Sequence, residues 1–286
     1  MKESKRWRVL AVPALAAALV GAPGFSPAME EGFYMGLSAS AENLDATPSR
    51  ITDNTHPMNA TTSRGRTFST RDSDTQTISG FGVLAGYTFR PSNRELYLSA
   101  EIDLVYHGGK ARGRLAWIKD SVLRAGANNV PDWPQSGEGW PDNWTFEKNR
   151  SYGLTLRLGG QPDFLTSMLG PDSGLYALAG VRRIEAEYSL SYEGCPTTEG
   201  CPGGREDESY VQGSDRTDTD YTAWTAGLGL HTPVGDRLGM QVEMYYTNYE
   251  EEDLLLLDDN GPPHIRVVHS PDADGIGLRL RLLRHF

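Results

Sequence analysis

Apolar and polar residues alternate with period 2 along eight segments of this chain, the pattern of β-strands whose two faces meet different surroundings. The segments are Gly32–Ala41, Ile78–Phe89, Glu95–Tyr106, Thr145–Gly159, Gly174–Tyr192, Tyr221–His231, Leu238–Tyr249 and Ile276–Phe286. In the third, Leu96, Leu98, Ala100, Ile102 and Leu104 share one face, while Tyr97, Ser99, Glu101 and Asp103 share the other. In the last, Ile276, Leu278, Leu280 and Leu282 oppose Gly277, Arg279, Arg281 and His285. The fifth changes apolar parity at Arg182–Arg183, which predicts a β-bulge there. Most segments are about the length a tilted strand needs to cross a bilayer, ~9–11 residues, and the fourth and fifth are longer.

The connections alternate in length. Those after the first, third, fifth and seventh segments are long (42–77, 107–144, 193–220 and 250–275), and the others are shorter. Pro162–Leu169, in the longest of the shorter connections, predicts one helical turn. Aromatics recur near segment ends: Phe33, Tyr87, Phe89, Tyr106, Tyr188, Tyr246 and Phe286. Long loops at one end, short turns at the other and aromatic girdles between predict an antiparallel up-and-down transmembrane β-barrel of eight strands. A soluble exported barrel of the lipocalin kind would turn the apolar parity inward instead.

Residues 1–28 read as a secretory signal. Lys2, Lys5, Arg6 and Arg8 precede the apolar run Val9–Val20, and a small-residue stretch ends at Ala28. That apolar run is too short to span a bilayer as a helix, which needs ~20 residues. Residues 29–286 then form the barrel domain. The full chain carries a net charge of −11, and loss of the signal's four positive charges and one negative charge leaves about −14. Such acidity argues against nucleic acid as a partner.

Taken together, the signal, the loop alternation and the aromatic Phe286 closing an alternating strand resemble the small eight-stranded outer-membrane proteins of Gram-negative bacteria. The resemblance is to the OmpA-transmembrane-domain and OmpX type, and it covers most of the chain in plan. It implies residence in the outer membrane among its lipid and lipopolysaccharide, and a structural or surface-contact role. It also implies that Phe286 serves as the signal read by the outer-membrane assembly machinery.

The inward parity carries Glu101, Asp103, Arg157, Arg182, Glu243, Arg279 and Arg281. Buried charges persist when paired, so these predict a salt-bridge network plugging a narrow lumen, with a narrow small-solute channel as the alternative. The second long loop holds Trp133, Trp140 and Trp144 among prolines and acids, a candidate platform for a glycan or protein ligand. Its Arg112–Arg124 stretch predicts a short helix or a further hairpin, which would make ten strands. Cys195 and Cys201, an isolated pair in an exported chain, predict a disulfide. The acidic clusters Asp72/Asp74, Asp218/Asp220 and Asp272/Asp274 read as solvated surface, with no metal and no cofactor expected. His107 and His264 near Asp132, Asp142, Asp218, Asp220 or Asp274 leave a surface hydrolase of omptin-like plan as the enzymatic alternative. No motif ties them together, so no catalytic residue is assigned.

Overall fold

A computed structural model describes residues 31–53, 55–58, 65, 67–90, 96–115, 142–194, 204–206, 211–250, 253–257 and 266–286. The strands are β1 (Gly32–Ala46), β2 (Ser49–Asp53), β3 (Thr67–Arg71), β4 (Asp74–Phe89), β5 (Leu96–Gly108), β6 (Lys110–Leu115) and β7 (Asp142–Gly160). They continue as β8 (Gly174–Gly194), β9 (Val211–Gly235), β10 (Leu238–Tyr249), β11 (Leu254–Leu257), β12 (Arg266–Ser270) and β13 (Ala273–His285). One short helix, α1 (Asp163–Leu169), lies between β7 and β8.

Among the described residues, eight antiparallel strands close the barrel in the order β1-β4-β5-β7-β8-β9-β10-β13. The closing pair runs from Tyr34↔His285 to Ala46↔Ala273. Gly109, at φ 126, separates β5 from β6 in a backbone region that favours glycine. β6 then carries on up the edge of β7, pairing Lys110↔Glu147 through Leu115↔Asp142. The stretch expected as a helix or hairpin therefore begins as an extension of the third barrel strand, and residues 116–141 lie outside the described ones.

The wall also rises elsewhere. β2 and β3 prolong the β1/β4 hairpin, β11 and β12 prolong β10/β13, and they form one four-stranded sheet in the order β11-β12-β2-β3. Backbone bonds Thr47 N–H to Asp272 O (2.8 Å) and Asp72 N–H to Pro48 O (3.1 Å) stitch across the breaks. β8 and β9 run 21 and 25 residues, about twice what a tilted strand needs to cross a bilayer.

Side-chain burial divides each long strand into two zones. In the lower zone the outward positions are apolar and exposed: Leu154, Leu156 and Leu158 on β7, Val181 on β8, Trp224 and Leu228 on β9. So large an apolar belt is at rest only in lipid. Tyr106, Tyr152, Trp224 and Tyr246 mark its upper edge, and Phe33, Tyr87, Phe89 and Phe286 its lower edge. In the upper zone the polarity inverts. Arg183, Glu185, Asp218 and Asp220 face out, while Ile184, Ala186, Tyr188, Leu190, Tyr221 and Ala223 are buried inside.

This inversion corrects the bulge expected at Arg182–Arg183. The β8–β9 register is unbroken from Gly174↔His231 to Gly194↔Val211. The strand keeps its facing; the apolar residues change sides because the medium outside changes from lipid to water. The bulge is on β7 instead, between Lys148 and Arg150. The boundary is testable with single cysteines and a membrane-impermeant maleimide on intact cells. Asp220→Cys should label readily and Leu154→Cys, two turns of pleat lower on the outer wall, should stay unlabelled. Equal labelling would remove the lipid belt from its assigned height.

Candidate functional site

The lumen is packed in tiers. Near the lower rim, inward tyrosines lie over glycines of the neighbouring strand, Tyr34↔Gly86, Tyr97↔Gly159 and Tyr176↔Gly229, and Tyr245↔Gly277 repeats the arrangement higher up, level with Glu42. A Cβ on any of these glycines would strike the facing ring. The small inward residues thus make room for aromatic side chains rather than for water.

Above and between these rings sits the charged tier. Glu243 accepts from Arg157 Nε at 2.9 Å, Arg281 Nη1 at 3.0 Å and the Tyr176 hydroxyl at 3.0 Å, and pairs with Arg279 Nη1 at 3.4 Å. Glu101 accepts from Arg157 Nη2 at 3.1 Å, from the Tyr34 hydroxyl at 3.1 Å and from Arg281. Arg281 also donates to Gln241 at 2.6 Å. Asp103 pairs with Arg182, whose Nη2 also reaches Ser151 Oγ at 3.1 Å. All seven charged residues singled out from the inward parity lie in this lumen, held by β5, β7, β8, β10 and β13. Each carboxylate is satisfied by more than one donor, which is what low-dielectric burial requires.

Two members of the same assembly escape a straight reading of the sequence. Lys148 Nζ donates to Glu42 at 2.9 Å and to the Tyr249 hydroxyl at 2.8 Å. Glu42 also accepts from Tyr249 at 2.7 Å and Tyr245 at 3.3 Å. Counted along β7 from the lipid-facing Tyr152, Lys148 falls on the outward parity; the bulge turns it in. Glu42 belongs to the upper end of β1, one residue beyond the alternation legible in the sequence.

Over the charges lies an apolar core. It comprises Leu44, Ile78, Leu115, Trp144, Phe146, Ile184, Tyr188, Leu190, Tyr221 and Tyr249 with smaller neighbours. Phe146 meets Tyr221 edge-on at 5.7 Å, and Tyr221 meets Tyr249 at 6.2 Å. Trp144 is 1% exposed, and its indole N–H donates to Asp72 Oδ2 at 2.7 Å. It is therefore not part of a surface-binding loop, because the same bulge that turns Lys148 inward also turns Trp144 inward. Trp133 and Trp140 lie outside the described residues, as do Cys195 and Cys201.

Asp72 and Asp74 are not merely solvated either. Asp72 accepts the backbone N–H of Arg114 at 2.7 Å, and Asp74 that of Arg112 at 3.1 Å. They satisfy donors along the edge of β6 that faces away from β7. In the prolonged sheet, His269 pairs opposite Arg50, and its Nδ1 lies 3.3 Å from the Tyr188 hydroxyl. Burial, helped by the Arg50 charge, pushes the His269 imidazole down to about 3, so it is neutral at physiological pH. At the rim, burial and the Asp45 and Asp272 carboxylates raise Asp274 above its ordinary range.

Among the described residues, His107 is not brought to Asp218 or Asp220. His107 takes the inward parity, its Nε2 2.9 Å from Ser151 Oγ, whereas Asp218 and Asp220 face out from the opposite side of the wall. His264 and Asp132 lie outside the described residues. A cleft of about 740 Å3 opens on the outer wall at the bulge, lined by Tyr106, Asn149, Arg150, Arg183, Glu185 and Asp220 among others. Its charges answer one another, Arg150 with Glu185 and Arg183 with Asp220. Phe286 is exposed at the lower rim, and its N–H donates to the Phe33 carbonyl at 3.1 Å.

The sequence matches the family model outer membrane protein beta-barrel domain over residues 12–263, and the closed barrel with its outward apolar belt accords with that match. The chain belongs to this family. It is accordingly a protein of the outer membrane. The match stops short of β13, whose place is given by its pairing with β1 and β10. Comparison with curated proteins found no match.

Solved structures similar to this outer membrane β-barrel include Neisserial surface protein A (10% identity, 89% of this chain, 97% of that chain, TM-score 0.34). Another is the outer membrane protease OmpT of Escherichia coli (10% identity, 88% and 97% covered, TM-score 0.35). A third is the attachment invasion locus protein of Yersinia pestis, in complex with the heparin analogue sucrose octasulfate (13% identity, 85% and 98% covered, TM-score 0.25). None of these likenesses carries an activity across to this chain.

Proposed function

We propose that this outer membrane β-barrel is a non-conducting, non-enzymatic surface-interaction protein, serving adhesion or envelope contact through its extracellular half. The observation that carries this reading is the unequal use of the chain. The lumen is occupied twice over, by a salt-bridged tier and by an apolar core above it. A barrel of eight strands is only wide enough for its own side chains to fill, which supports a plug over a pore. Meanwhile β7, β8 and β9 spend about half their length beyond the lipid belt, building a platform in water. The inward facing of His107, away from the outer acids, supports a role without catalysis.

On this reading the partners are a glycan or a protein, met by the loops that the platform carries, Trp133 and Trp140 included. Lipopolysaccharide and outer-membrane lipid surround the lower belt, and the C-terminal strand is what the assembly machinery takes up. The test is binding of the refolded protein to arrays of glycans and extracellular-matrix proteins, beside a variant lacking residues 118–140. A ligand held by the full chain and lost by the variant is expected, together with no stepwise conductance in a planar bilayer. Equal binding by the two would remove the ligand role from that loop, and stable conductance steps would replace the plug with a channel.

A further inference from the structure

The connection between β7 and β8 holds a feature that a simple turn at the short-loop rim does not need. α1 (Asp163–Leu169) has the sequence Asp-Phe-Leu-Thr-Ser-Met-Leu. Leu165 is buried at 8% exposure, but Phe164 and Met168, one helical turn apart, are 59% and 74% exposed, and Leu169 is 40% exposed. Three large apolar side chains on seven residues is a costly arrangement for a helix standing in water.

Two further observations place the helix. The first is which side of the wall it covers. Trp224, Ala226, Leu228 and Leu230 of β9 face outward, and Thr232 continues that parity. Thr232 Oγ1 lies 3.5 Å from the Leu169 carbonyl, to which it donates, and accepts from Ser173 Oγ at 3.2 Å. Ser173 carries the outward parity of Leu175, yet it is completely buried. The C-terminal end of α1 therefore lies against the outside of the barrel, not beneath its mouth. The outward leucines nearest the lower ends of β7, β8 and β9, Leu158, Leu175 and Leu230, are exposed members of the lipid belt.

The second observation is how the helix treats its own polar groups. Thr166 Oγ1 donates to the Asp163 carbonyl and Ser167 Oγ to the Phe164 carbonyl, each at 2.9 Å. Both hydroxyls are thus satisfied within the turn and make no demand on water. Asp163, at the N-terminal end, is the helix's single charged residue.

We propose that α1 is an interfacial foot. It inserts Phe164 and Met168 into the headgroup–acyl boundary of the periplasmic leaflet and so extends the barrel's lipid contact sideways beyond the strand ends. The occupant of this apolar face is glycerophospholipid, because the face is continuous with the belt that lipid already covers. Interfacial helices bury their apolar side roughly 5–10 Å into that boundary. With so short a helix, the barrel supplies the anchoring and α1 supplies depth and orientation at one point of the rim.

The test uses the full chain refolded into phosphatidylethanolamine/phosphatidylglycerol vesicles, with Cys195 and Cys201 replaced by serine. A polarity-sensitive fluorophore is placed at Met168→Cys, and the control probe at Asp236→Cys, in the exposed turn between β9 and β10. The Met168 probe should be quenched several-fold more by lipids carrying a nitroxide high on the acyl chain than by lipids carrying it near the chain end. It should also resist aqueous iodide. The Asp236 probe should show the reverse. Iodide quenching of the Met168 probe equal to that of the control, with no lipid quenching, would overturn the proposal. That result would place the face in water, as a surface awaiting a protein partner would be.

Discussion

Replacing Glu243 with alanine should destabilise the barrel by about 3–5 kcal/mol, the usual cost of breaking a buried ion pair from one side. The side chain is fully buried and is the common acceptor of Arg157, Arg279, Arg281 and Tyr176. Its removal leaves Arg157 and Arg281 with Glu101 as their shared carboxylate and takes from Arg279 the carboxylate it pairs with. Guanidinium stays charged, so the network has no route to neutrality by losing a proton. Glu243→Gln keeps the shape and some of the acceptor capacity, and should fall between wild type and alanine. Arg183→Ala is the proper comparison, because it removes an equally short ion pair on the outer wall, where both partners are solvated. That change should cost no more than ~1 kcal/mol. Denaturant unfolding of the refolded protein in detergent, followed by the heat-modifiable gel shift, reads the difference. Equal midpoints for Glu243→Ala and Arg183→Ala would mean that the lumen charges do not hold the barrel together.

Why the charged tier was legible in the sequence, and the tier above it was not, follows from what alternation reports. Within the bilayer the outward parity is uniformly apolar, so Glu101 on β5 or Arg279 on β13 stands out against Ile102 or Leu280. The strand's facing and its polarity pattern coincide there. Once the strand leaves the lipid, the pattern reverses while the facing does not. On β8 the reversal looks in sequence like an inserted residue, although the register shows none. On β7 a real bulge at Asn149 leaves no such trace, because Lys148 and Arg150, on either side of it, are both charged. The bulge cannot be inferred from local chemistry, and it governs the facing of everything N-terminal to it, Trp144 included. Glu42 was hidden for a simpler reason. The apolar face of β1 ends near Ala41, but its backbone pairing continues to Ala46. Pairing partners, not polarity, set where a strand stops.

The two tiers divide the work of holding the barrel. The lower one must be polar inside because its apolar residues are committed to lipid, so it relies on paired charges and on tyrosine rings seated over glycines. The upper one faces water outside and gains stability as soluble barrels do, by burying apolar area within. That leaves its outer surface and its loops free to vary without disturbing either tier, which suits a platform whose contacts are made by loops.

Trp144→Ala should separate the two tiers. Truncating a buried tryptophan typically costs about 3–5 kcal/mol. Here it also takes the indole donor from Asp72, which keeps its bond from the Arg114 N–H. The loss falls on the apolar core, and no member of the salt-bridged tier contacts the indole's partner Asp72 among the described hydrogen bonds. The extracellular half should therefore open locally while the lipid-belted half stays assembled. Cells displaying the variant and treated with trypsin should lose the upper part of β7–β9, where Arg183 and Arg216 face water, at least about tenfold faster than wild type, on the order of the population shift that a local loss of this size permits. The membrane-embedded fragment should survive and keep its heat-modifiable mobility. Trp144→Phe, which retains a ring in the core, should recover most of the protection. A tryptophan serving as a surface ligand platform would give the opposite result. Trypsin resistance would be unchanged in Trp144→Ala, and only the binding of a ligand would be lost.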